Sequence, residues 1–199
     1  MPLSPPKPRE HLHTRNVQCR GYEREDGLWD IEGHIVDTKT YAFDNSWRGH
    51  VTPGMPVHEM WIRLTIDDRM VIREVEATTD AGPFRVCPDI TPNFKRLEGE
   101  RIGPGFTRRV RELVGGRNGC THIVEMLGQV ATTGFQTLVR KRIRDERAAK
   151  EARAQKTDAQ PDDAPPPPRK KPMIIDTCHA LSSEGDIVKK EWPEFYTGR

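Results

Sequence analysis

Gly115-Gly116-Arg117-Asn118-Gly119-Cys120-Thr121-His122-Ile123-Val124-Glu125-Met126-Leu127 is the stretch on which the chain turns. Glycine and asparagine tolerate left-handed backbone angles, so this run stops any helix before it and lets a new one begin near Cys120. From there Ile123, Leu127, Val130, Phe135, Leu138 and Ile143 recur at helical intervals, predicting one long amphipathic helix with a charged tail that ends near Lys156.

A thiol and an imidazole open that helix. The first backbone N–H groups of a helix are unpaired and its macrodipole is positive there, which favours a thiolate at Cys120. His122, two residues on, is a second soft ligand or a base, and Glu125 lies three residues after it, at a spacing where helix side chains meet. Glu125 is thus a partner for the imidazole or a general base. The plainer reading makes Cys120 a small packed hydrophobe, His122 a cap and Glu125 a solvated helix acid.

Working back toward the N-terminus, Phe106, Val110, Leu113 and Val114 predict a second helix, and Thr91 to Leu97 a short first one, with Cys87 just ahead of it. Before Asp80 the period changes to two. A strand starts at Asn16, and Glu25-Asp26-Gly27 signals a hairpin into Leu28–Asp37, with Trp29, Ile31 and Ile35 on one face and Asp30, Glu32 and His34 on a solvated one. Thr38 to Phe43 continues extended and Asn45 to Pro56 reads as a loop. In the strand His58 to Asp67, residues His58, Met60, Ile62, Leu64 and Ile66 share a face, so His58 points toward the core, and Met70 to Thr78 completes the sheet. The expected fold is α+β: an antiparallel meander of about four strands followed by three helices, the last one long.

The 199 residues, 34% hydrophobic with 17 prolines, suffice for one modest core plus irregular segments. Residues 1 to 14, rich in proline and charge, read as a flexible arm whose His11 and His13 have no assigned role; 15 to 156 form the domain. Residues 157 to 172 are a proline-rich linker, and 173 to 199 a hairpin that docks back on the domain and carries Cys178 and His179. A net charge of +2 gives no polyanion-binding balance, and acids interrupt the basic end of the long helix, so nucleic acid is not an expected partner. No apolar run approaches a membrane span and no signal peptide is evident; together with four cysteines of unpaired spacing, this suggests a reduced, cytoplasmic setting. A homodimer is compatible with the pattern.

The chain resembles a bacterial family known as domain of unknown function 2889. The likeness lies in Gly21-Tyr22-Glu23-Arg24-Glu25-Asp26-Gly27-Leu28-Trp29-Asp30, Asp37-Thr38-Lys39, Pro56-Val57-His58-Glu59-Met60, Gly119-Cys120-Thr121-His122 and Cys178-His179-Ala180. The name implies no activity. In layout the chain also resembles the iron–sulfur scaffold and sulfur-acceptor proteins, which implies Cys87, Cys120 and His122 as cluster-holding positions.

These residues point first to a metal or reactive-thiol site made of Cys120 and His122, with His58 or Cys87 as third ligand and Cys178-His179 closing over it. Mixed N/S ligands suit zinc or iron and a small hydrolase or lyase, with Asp37, Asp67 or Glu125 as general base and a small molecule as substrate. The alternatives are a carrier that passes a cluster or persulfide to a client protein, and an interaction module without chemistry.

Overall fold

Alternation along β2 (Trp29–Lys39) is complete: Trp29, Ile31, Gly33, Ile35 and Asp37 are buried, while the residues between them stay partly open. A strand with this pattern covers one face and leaves the other to solvent. In the computed structural model, which describes residues 3–157, 171–172 and 174–198, β2 pairs antiparallel with β1 (His13–Glu23) and β5 (Pro56–Ile66), and β5 with β6 (Ile72–Ala81). The sheet order is β1-β2-β5-β6. The expected meander is therefore present, but residues 45 to 56 are more than a loop. β3 (Phe43–Asn45) and β4 (Gly49–Val51) form a small hairpin of their own, turned where the Asn45 side chain accepts the Trp47 and Arg48 N–H groups, both at 2.9 Å.

The open face is charged and paired within itself. Arg20, Glu32, Arg63 and Glu76 are direct neighbours across the four strands, and Arg63 binds both Glu32 and Glu76 at 2.9 Å. The other face carries the core, where Ile31, Ile35, Met60, Ile62 and Leu64 meet Phe94 and Leu97 of a 3-10 segment (Cys87–Leu97) and the helices α1 (Phe106–Val114) and α2 (Thr121–Thr137). Asp67 makes the β5–β6 turn, accepting the Arg69 and Val71 N–H groups at 2.9 Å and Arg73 at 2.6 Å, so this candidate base serves the backbone instead.

The long helix is two helices. α2 ends at Leu138, and α3 (Val139–Thr157) follows it. Thr132, Thr133 and Thr137 each donate a hydroxyl to the carbonyl four residues back, a habit that bends helices, which accounts for a break the hydrophobic spacing did not show.

The chain divides into two compact units, Met1–Ala149 and Lys150–Arg199. Within the second, the expected hairpin is absent among the described residues. Single 3-10 turns at His179–Leu181 and Pro193–Phe195 flank α4 (Asp186–Glu191), with Ile175 and Val188 buried. Gly185 and Asp186 start a helix here, and Pro193 stops it, where strand pairing would need unbroken N–H groups. Most of the proline-rich stretch 157 to 172 lies outside the described residues.

Candidate metal centre

Strand register assembles the first half of the site. Arg15, Asp37 and His58 are direct partners across β1, β2 and β5, all on the covered face. Asp37 is 1% exposed. A buried carboxylate needs compensation. Arg15 supplies it through two parallel bonds, Nε to Oδ1 at 2.7 Å and Nη2 to Oδ2 at 2.8 Å.

The second half comes from α2. Gly119 is extended and lies against the Val114 carbonyl too closely for any side chain, so the chain can turn from α1 into the Cys120 cap. His122 then hangs from the first helical turn over the strand row, its ring centroid 3.9 Å from that of His58. His58 Nδ1 is 3.0 Å and His122 Nε2 3.6 Å from the same Asp37 oxygen, Oδ2. One ligand atom from each of the three residues lies within 4.8 Å of the other two.

The 3.0 Å contact is that of a hydrogen bond, and the three ligand atoms stand close enough together to be gathered by one ion. With metal–ligand bonds of about 2.0–2.1 Å, a tetrahedral ion puts neighbouring ligand atoms about 3.3 Å apart. A carboxylate has roughly four acceptor positions, so Arg15 can occupy one on each oxygen and leave Oδ2 a lone pair for the histidine side. Protonation also suits ligation. Burial, helped by His122, lowers the pKa of the His58 imidazole; burial and then Arg15 lower that of His122. Burial raises that of Asp37, yet Arg15 and His58 outweigh it and hold the carboxyl below its usual range. Two neutral imidazoles and a carboxylate are the protonation states that a divalent metal binds.

Cys120 stands behind this group. Its sulfur is 3.7 Å from His122 Nδ1, the ring nitrogen on the far side from Asp37. Glu125, its side chain 60% exposed, pairs with Arg15 at 3.2 Å. Cys87 packs against Gly82 and is not among the three converging ligand residues. Cys178 and His179 belong to the second unit, where Cys178 is exposed. His58 and His122 of the expected set are thus brought together, with Cys120 in contact with His122.

Sequence reasoning took Asp37 only as a base and gave Arg15 and His13 no part. His13, read as arm, opens β1 and sets Nε2 3.5 Å from Asp37 Oδ1. The signal for Asp37 was present: the alternation that buries Trp29, Ile31 and Ile35 continues to it. Arg15 could be found only from the register.

No match was found among curated proteins or among solved structures. The family model described as protein of unknown function (DUF2889) matches residues 13–136, which include Arg15, Asp37, His58, Cys120 and His122, and the chain belongs to that family.

Proposed function

We propose that the protein is a small metal-dependent enzyme of the hydrolase or lyase type, with one zinc or iron ion held by Asp37, His58 and His122. The observation that carries this reading is the approach of two imidazoles to one oxygen of a buried carboxylate at 3.0 and 3.6 Å. Two histidines and one carboxylate leave positions open for solvent and substrate, where the ion lowers the pKa of bound water or polarises a carbonyl. To ligate through Nδ1, His58 gives up its Nδ1 hydrogen bond to Asp37 and carries its proton on Nε2. Arg15 fixes the Asp37 carboxylate from behind, and the Cys120 sulfur on Nδ1 sets the His122 ring with Nε2 toward Asp37. Glu125, exposed and joined to Arg15, is the base beside the centre.

A second reading rests on Cys120 and Asp37 standing at opposite nitrogens of His122, the order of a nucleophile, its base and an orienting acid. One experiment separates the two. Chelator-treated protein is assayed against a panel of p-nitrophenyl esters and phosphates, then reassayed with Zn²⁺ or, without oxygen, Fe²⁺. Turnover restored by metal, abolished in His58→Ala and retained in Cys120→Ser supports the metal centre. Turnover indifferent to chelation and abolished in Cys120→Ser overturns it in favour of the thiol.

A further inference from the structure

Beside the centre, the β3–β4 hairpin and the segment after β6 enclose a cleft of about 210 Å³, lined by Trp47, Arg48, Thr79, Asp80, Phe84 and Arg85 among others. Its walls adjoin the metal-binding strand. Ala81 pairs with Glu59, the residue after His58, and Arg48 Nη1 donates to the carbonyls of Pro56 and Val57, the two residues before it, at 2.5 and 3.5 Å.

The chemistry of the lining is unusual for plain surface. Trp47 is 55% and Phe84 60% exposed, so two large aromatic side chains in the lining of one small hollow are open to solvent. Clustered exposed aromatics of this kind mark binding surfaces more than isolated ones do. Two guanidinium groups accompany them. Arg48 spends one nitrogen on backbone carbonyls and has no acidic partner among the described residues, and Arg85 has neither an ion pair nor a hydrogen bond there. Asp80, the acid in the lining, accepts the Trp61 indole N–H at 3.1 Å. The Thr79 hydroxyl oxygen is buried without a hydrogen-bond partner. Unspent cations, a vacant hydroxyl and an apolar rim together describe a ligand with a planar anionic head and an aromatic body.

We infer that this cleft binds an aromatic carboxylate, with its carboxylate on Arg85 and Arg48 and its ring between Trp47 and Phe84, and that this ligand class is the substrate of the adjoining centre. The binding claim stands by itself; only the word substrate rests on the metal reading.

The test uses full-length protein treated with chelator, so that its outcome does not depend on metal. Phenylacetate and its neutral counterpart phenylacetamide are titrated while the Trp47 indole N–H is followed by NMR. Phenylacetate is expected to give a saturable shift and to bind about tenfold more tightly than the amide, the worth of one charge-assisted hydrogen bond. Arg85→Gln, an exposed change that leaves Arg48 in place, should lower that preference several-fold and leave amide binding as it was. Trp47→Phe, lacking the probe, serves to assign the signal. Absence of a saturable shift, equal binding of acid and amide, or a preference undiminished by Arg85→Gln would overturn the inference.

Discussion

Asp37 is the residue on which the site depends, because it alone touches Arg15, His13, His58 and His122. Asp37→Asn keeps the shape and removes the charge, leaving Arg15 without its buried partner. The acid of this pair is buried while the Arg15 side chain is 38% exposed, so losing its two charge-assisted bonds should cost about 2 kcal/mol, which a urea titration of wild type and variant would register as a lower midpoint with an unchanged slope. A stability loss within error of zero would mean that the pair is solvated. The histidines give a pH signature. Their folded pKa values lie below the ordinary value, so on acidification past about pH 6.5 the unfolded chain binds protons that the folded one refuses, and stability falls. The depressed carboxyl of Asp37 acts in the same direction at lower pH. Chelator-treated protein should therefore melt at a lower temperature at about pH 5.5 than at about pH 7.5, and His58→Gln with His122→Gln should flatten that dependence. At this scale His58, Cys120 and His122 were legible from strand parity and helix start. Arg15 and His13 were not, because a proline-rich arm and the first turn of a strand look alike until their partner is known.

Helix α2 reaches the sheet through glycine. A methyl group at Gly33 would stand 2.6 Å from Val130 Cγ2 and 3.0 Å from Met126 Sδ, so the helix that carries His122 sits as low as it does because β2 has no side chain there. Val130 is β-branched and cannot swing aside. Gly33→Ala should destabilise by about 2 kcal/mol and, by lifting α2, weaken Zn²⁺ binding measured calorimetrically. Full stability and unchanged affinity would show that the packing is looser than described. The elements of the first unit were largely legible, since period-two and helical spacing persist for many residues in β2, β5 and α2. The break at Leu138 was hidden by a hydrophobic pattern that runs straight through it. The β3–β4 hairpin has strands of three residues, too short for any periodicity. The tail misled because Ile174-Ile175 and Ile187-Val188 look like strand, while Gly185 and Pro193 set helical turns.

Across the whole molecule, every residue assigned to the centre falls in the unit Met1–Ala149. A chain ended after Ala149 should accordingly unfold cooperatively and keep metal affinity, whereas loss of affinity would show that the tail with Cys178 and His179 supplies a ligand. An ion held by the folded state alone stabilises it, so on the proposed reading Zn²⁺ at about one hundred times its dissociation constant should add about 2.7 kcal/mol to stability, seen as a rise in melting temperature that chelator reverses. The description depends most on the convergence of Asp37, His58 and His122 being a ligand set. Its most direct test is the metal content of untagged protein by mass spectrometry, set beside His58→Ala, His122→Ala and Cys178→Ser. One zinc or iron per chain in wild type and Cys178→Ser, and none in the two histidine variants, is the result predicted. A wild type without metal, or one whose metal survives both histidine changes, would contradict it.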